Sequence, residues 1–338
     1  MDGSLRMAAL LGLPQFLADH GLDPDAEIRR TGCDPALFKD PENTIDFTAI
    51  GRLFEHTVAV TGHSFPGFEL TRHLGLDVLG LPGKAIRFAP DLGTALSTLI
   101  RAFHLHDRGA IPFLRTNHQE ATFGYTIHIT DVPGVNHIYD GALAIAQNVF
   151  TELIGANWRA REVHFVRGKP AKIHPYRQHF RTQLVFDAEQ ALIVFPFADL
   201  ARPVATANPS AFLKAQEELE RMDELIGDGL TSKVLRLLHR HFVAGAGPEG
   251  IDLQKAASIL VMHPRTLNRR LQAEGTTFRD LVAESRFVIA RQLLRDTHLK
   301  IADISFLLGY AQTACFDRAF KRWSGLTSTR WRDSVGKG

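Results

Sequence analysis

The residues best equipped for chemistry lie near the C-terminus, where Pro264 opens the run Arg265-Thr266-Leu267-Asn268-Arg269-Arg270-Leu271. On a helix, Leu267 and Leu271 share an inward side, while Arg265, Asn268 and Arg269 share another. Arg and Asn carry forked donor sets that match the guanine and adenine edges in the major groove. A similar arrangement recurs 48 to 50 residues later. There Phe316 and Phe320 take the inward places, and Gln312, Thr313 and Arg318 face out. Lys321 and Arg322 follow as cations suited to phosphate. In the first copy, Arg270 and His263 are the phosphate candidates.

Such side chains act only if short helices present them. The spacing predicts a helix over Leu253–Leu260, a turn at Val261-Met262 and a second helix from Pro264, a good first-turn residue. It predicts another pair over Ala302–Leu308 and Gln312–Trp323, with Gly309 at the turn. Each pair reads as a helix-turn-helix, whose second helix shows its first residues to base edges. The helix Phe278–Arg295 between them would set their separation. Two such helices roughly 34 Å apart enter successive major grooves, and an internal duplication would put both in one chain. Thr231 is the expected N-cap of a helix running to Phe242. Gly245 to Gly250 reads as a loop without a phosphate-binding fingerprint, since no strand precedes it.

Charge agrees with this placement. The whole chain of 338 residues carries +2. Residues 229–338 hold 18 Lys and Arg against 9 Asp and Glu, leaving 21 against 28 for the rest. That asymmetry suits a polyanion at one end only; a solvated basic face is the plain alternative. Composition, with 45% hydrophobic and 22% charged residues, fits folded globular domains rather than disorder, and the length suggests two of them. Cys33 and Cys315 fall in different domains and suit a reducing cytosol; they leave no cysteine zinc site. Pro14 follows the apolar run Met7–Leu13 at once, which favours an amphipathic surface helix over a signal peptide. No stretch has the length of a membrane span, so a cytoplasmic location is expected.

The preceding two thirds read as α+β, with helices packed on a mainly antiparallel sheet. The stretch to Leu79 is helical; Phe47, Ile50, Leu53, Phe54, Thr57 and Val58 line one face. A strand is expected at Lys84–Phe88 and a helix at Asp91–His106. Strands follow at Ile111–Arg115 and Ala121–Ile129, then a helix at Tyr139–Gly155. A strand at Glu162–Val166, a short helix near Tyr176–Phe180 and strands at Gln183–Phe186 and Ala191–Phe195 complete the domain. Ala211–Ile226 reads as an acidic amphipathic helix, either a linker, a dimer contact or part of the domain before it; Gly227 to Gly229 is the next break. The expected division is 1–207 for a regulatory domain, 208–228 for the linker and 229–335 for an all-α domain. Within the last, the two units cover about 252–273 and 301–323.

The run from Gly309 to Gly325, with that from Pro264 to Gly275, resembles the signature of AraC/XylS-type transcription regulators. The resemblance covers about Thr231 to Arg332. It implies that Arg265 and Arg269 are the main base-contacting residues of the first unit, and that Thr313, Ala314 and Arg318 hold those places in the second. Three residues depart from the pattern: Val261 stands at a turn Gly, His263 at an N-cap Ser, and Ser328 at a Pro after Thr327. Val261 is expected to strain its turn. His263 is a weaker cap, by about 1 kcal/mol, or a phosphate contact. The first two thirds are similar, more loosely, to the sensor half of the branch related to ornithine-utilisation regulators. The matching stretches are Thr61-Gly62, Leu74-Gly75, the Ser97 helix after Pro90 and Gly155-Ala156-Asn157-Trp158.

The expected function is sequence-specific transcription regulation. The expected partners are double-stranded operator DNA, RNA polymerase and a small-molecule effector, with a homodimer left open. No catalytic motif, metal site or cofactor is expected. His104 and His106 would point apart on a helix, and Trp158 with Arg159 and Arg161 reads as packing and a surface turn before an anion pocket. Two alternatives stand: an N-terminal domain that only dimerises, or an enzyme fused to a DNA-binding module.

Overall fold

The computed structural model describes residues 3–129, 131–226, 229–244, 251–297 and 299–335. The loop expected at Gly245–Gly250, and Gly227-Asp228 of the expected break, lie outside the described residues. The chain divides into two compact units, 1–222 and 223–338.

The first unit opens with strand β1 (Ser4–Arg6), helix α1 (Leu13–Asp19) and helix α2 (Pro24–Arg30). Next come β2 (Thr44–Asp46), α3 (Phe47–Thr61), α4 (Pro66–Thr71), α5 (Leu81–Ile86) and α6 (Leu92–Ala102). The main sheet and its helices follow: β3 (Ala110–Thr116), β4 (Glu120–Ile127), α7 (Val135–Ile154), β5 (Glu162–His164), α8 (His174–Phe180), β6 (Gln183–Val185) and β7 (Ala191–Pro196). Its strand order is β3-β4-β7-β5-β6, antiparallel except for β5 beside β6. β3 and β4 form a hairpin in the register Ala110↔Ile127 to Thr116↔Ala121. β1 and β2 make a separate two-stranded ribbon.

The core lies between α7 and this sheet. Phe150 of α7 stacks on Trp158 with ring centroids 4.7 Å apart and meets Phe195 of β7 edge-on at 5.1 Å. Helix α4 packs closely on α7 because Gly67 has no side chain: a Cβ there would sit 2.0 Å from the His137 carbonyl oxygen. Trp158 is a core residue whose Nε1 donates to Asp199 Oδ2 at 2.9 Å, and Arg161 pairs with Glu120 on the surface. A polar triad centres on the buried Asp140. Arg167 donates to Asp140 at 2.7 Å, and the Tyr176 hydroxyl donates to the same oxygen at 2.6 Å.

Three expectations need correction here. Lys84–Phe88 is not a strand. Lys84 to Ile86 belong to α5, where Pro82 sits in the first turn and Ala85 and Ile86 are fully buried. A short apolar run is ambiguous by periodicity, and burial in a helical layer decided it. The segment Met7–Leu13 is not a surface helix. Met7–Ala9 form a 3-10 turn, and Met7, Leu10 and Leu13 are buried behind the ribbon. The helix from Asp91 yields to a 3-10 turn at Phe103–Leu105, so α6 ends at Ala102.

Helix α9 (Pro209–Leu225) buries Phe212, Ala215 and Leu219, the latter two in one cluster with Ala85 and Ala102. Its first turns therefore pack on the first unit.

Among the described residues the second unit is all helix: α10 (Leu230–Val243), α11 (Leu253–Ile259), α12 (Pro264–Ala273), α13 (Phe278–Asp296), α14 (Ile301–Leu307), α15 (Thr313–Ser324) and α16 (Ser328–Val335). Thr277 starts α13 with a reciprocal cap: its hydroxyl accepts from the Asp280 N–H and donates to the Asp280 carboxylate at 2.6 Å.

Candidate nucleic-acid interface

The two helix pairs, α11–α12 and α14–α15, close their turns with the same hydrogen bonds. In the first, the Val261 N–H reaches Ser258 O at 3.1 Å and the Met262 N–H reaches Ala257 O at 2.8 Å. In the second, Gly309 reaches Phe306 O at 2.9 Å and Tyr310 reaches Ser305 O at 3.0 Å. This double closure ends a helix with one residue in the left-handed region. Gly309 takes it without strain at φ 75°, but Val261 occupies it at φ 53°. A β-branched residue there is a true outlier. Its side chain is 93% exposed, so no packing rewards the conformation.

After the turns the units differ by one residue. His263 caps α12 directly after Met262, whereas Ala311 separates Tyr310 from the cap position at Gln312. From there the helices align, with Leu267 and Leu271 matching Phe316 and Phe320, all fully buried. Arg265 thus matches Ala314, and Arg269 matches Arg318.

Arg265 and Arg269 are exposed, and among the described residues neither has an ion-pair partner. Asn268 lies partly buried beside them, and Arg270 is exposed. His263 is an exposed N-cap whose Nδ1 accepts from the Arg265 N–H at 3.2 Å. That acceptor role leaves the proton on Nε2, free to donate outward. Gln312 is exposed and sits just outside α15, with no side-chain capping bond. Thr313 is partly buried at the first helical position, while Ala314, Lys321 and Arg322 are exposed. Arg318 is exposed and its Nη2 lies 3.3 Å from Cys315 Sγ.

Several positioning residues escaped the sequence reading. Helix α10 begins at Leu230 rather than being capped by Thr231. Its cap is the Glu274 carboxylate, which accepts the Leu230 and Thr231 N–H groups at 3.0 and 2.9 Å. Glu274 follows the end of α12, so this bond ties the first recognition helix to α10. In the second unit, Asp317 of α15 accepts the Ser328 N–H at 3.3 Å and also its hydroxyl. Ser328 is fully buried and so holds α16 by hydrogen bonding where the family pattern has Pro. Between the units, the Arg286 guanidinium of α13 lies 5.3 Å from the Phe242 ring centroid and 4.6 Å from that of Tyr310. It bridges α10 to the second turn through cation–π contacts.

The first unit contains a cavity of about 80 Å³, bordered by side chains of α3, α6, β4 and α7 such as Ile50, Leu99, Phe123 and Val149. His106, Asp107, Tyr125, His137 and Thr71 bring polar atoms to its lining. Asp107 is buried and accepts from the Tyr125 hydroxyl at 2.6 Å and from the Gly109 and Ala110 N–H groups at 2.8 and 3.0 Å. Burial outweighs these bonds and pushes its carboxyl up to about 7. Burial, with nearby Arg6, pulls His106 down to about 3, and burial with nearby Arg167 and His63 pulls His137 to about 4. Both imidazoles are neutral near pH 7. No periodic pattern marks this lining, which converges from β1, α3, α4, α6, β3, β4, α7 and the turns between them.

Comparison with known proteins agrees with both units. Residues 21–204 match the family model described as the arabinose-binding domain of AraC transcription regulator, and residues 256–334 match a helix-turn-helix domain. The HTH-type transcriptional regulator VirS of Mycobacterium tuberculosis is 27% identical over 98% of this chain and 97% of its own. The ornithine utilization regulator of Pseudomonas aeruginosa is 25% identical over 95% and 94%. The crystal structure of transcriptional regulator CdpR from Pseudomonas aeruginosa covers 96% of this chain and 98% of its own, at 22% identity and a TM-score of 0.48. With one family model over more than half of its length and a second over the helical unit, this chain belongs to the AraC family of DNA-binding transcription regulators.

Proposed function

We propose that the second unit reads an operator through Arg265, Asn268 and Arg269 of α12, with Gln312, Thr313, Ala314 and Arg318 offered by the start of α15. His263, Arg270, Lys321 and Arg322 grip phosphates and supply salt-dependent affinity. Arg265 and Arg269 carry this reading: two exposed guanidiniums, unpaired among the described residues, one turn apart on a helix held by the same turn as its partner unit. Residues 1–207 respond to a small-molecule effector, 208–228 connect the two functions and 229–335 bind DNA. The bound protein then acts on RNA polymerase at its promoter, from a cytoplasmic location. The cavity in the first unit supports an effector role over dimerisation alone, and the names of the relatives support regulation over catalysis.

Selection from a random duplex pool gives the operator, and electrophoretic mobility shift at several salt concentrations gives the affinity. Arg265→Ala is expected to lose about 1–3 kcal/mol on that operator and to relax preference at one base position. Unchanged affinity and selectivity would remove Arg265 from the reading head.

A further inference from the structure

Resting on the reading of the first unit as effector-binding, the lining of its cavity narrows the class of molecule. A ligand's polar groups need partners as it leaves water, or each costs kilocalories. Most polar atoms around the cavity are already engaged. The Thr71 hydroxyl donates to Gly67 O at 2.8 Å. Both Asp107 oxygens accept protein donors, and the Tyr125 hydroxyl is turned to Asp107. What remains are the imidazoles of His106, 5% exposed, and of the partly buried His137, each with an Nδ1 that has no partner among the described residues. Among the described residues, no lysine or arginine lines the space.

We infer that the cavity takes a small, mainly apolar, uncharged molecule with one hydrogen-bonding group directed at His106, and not a sugar or an amino acid. A pentose carries hydroxyls all round its ring and would leave most of them unpartnered against Ile50, Leu99, Phe123 and Val149. An amino-acid zwitterion would meet no cationic side chain for its carboxylate. Size points the same way: an apolar cavity of about 150 Å³ admits benzene, so about 80 Å³ takes at most one small ring with slight yielding of the walls.

The test measures melting temperature and calorimetric binding of the full chain with phenol, benzene, L-arabinose and L-ornithine, each alone. Phenol should bind and raise the first transition by about 2–4 °C, with benzene at least fivefold weaker. His106→Leu should bring phenol down to the affinity of benzene, and Ala146→Leu, which fills the α7 wall, should abolish both. If Ala146→Leu does not fold, the wild-type comparison and His106→Leu still decide. Binding by arabinose or ornithine and not by phenol would overturn the ligand class while leaving the effector reading intact. Equal binding of phenol and benzene in the wild type would overturn the role of His106. If none of the four binds and Ala146→Leu binds operator as the wild type does, the inference and the effector reading both fall.

Discussion

Val261→Gly should make the second unit more stable, against the usual direction for a mutation to glycine. The left-handed conformation costs an L-residue roughly 1–2 kcal/mol, and Val261 holds it at φ 53°. Glycine removes that cost but gives the unfolded chain extra freedom worth about 0.5–1 kcal/mol. The side chain is 93% exposed, so no packing is lost. The balance is about 1 kcal/mol in favour of the variant. For a unit of this size that is about 4 °C in its melting transition, read by calorimetry of the full chain. Val261→Asn should gain a similar amount, because Asn tolerates this region and adds less freedom than Gly. Gly309→Val, which installs the same residue in the second turn, should destabilise the unit by about 1 kcal/mol on the same balance. A Val261→Gly protein that melts at or below the wild-type temperature would refute the strain argument.

Glu274→Ala removes the cap of α10 and should cost about 1–2 kcal/mol, seen as a lower transition of the second unit in urea or heat; a neutral result would mean that water caps the helix equally well. For Asp107, the folded carboxyl titrates near 7, above its unfolded range near 3.9. Its favourable contribution is thus complete below about pH 4 and is lost as pH rises through 7. Asp107→Asn should flatten that part of the pH profile of the first transition, and an unaltered slope between pH 4 and 7 would contradict the assignment.

The C-terminal unit was legible because helix-turn-helix chemistry is local. Inward leucines four apart, a proline at a helix start and a glycine at a turn all lie within one short window. Val261 shows the same thing from the other side, since it stands where the family pattern has a turn Gly. What stayed hidden were contacts distant in sequence. Thr231 was a reasonable cap by local rules, yet the donors of α10 are met by Glu274, 43 residues away from it. The bridge from Phe242 through Arg286 to Tyr310 has no sequence period at all. In the first unit, strand-forming residues marked β3 and β4, which are buried on both faces along much of their length, while β7 alternates buried and partly exposed residues. Residue pattern failed at β1, three residues long, and at Lys84–Phe88, where a five-residue run is too short for its period to tell helix from strand. The cavity was invisible because its lining is distant in sequence: His106-Asp107 is an ordinary pair until β4 brings the Tyr125 hydroxyl to Asp107.

The division of labour between the units is the most direct thing to measure. Arg269 has its counterpart in Arg318, at the same helical position. Wild type, Arg269→Ala and Arg318→Ala should be titrated against the selected operator and a scrambled duplex at one salt concentration. Arg269→Ala should weaken operator binding roughly tenfold or more while leaving the scrambled duplex nearly unchanged, so that its specificity ratio collapses. Arg318→Ala should weaken both duplexes alike and keep the ratio. Equal loss of specificity in both variants, or loss only in Arg318→Ala, would contradict a first unit that reads sequence and a second that holds register.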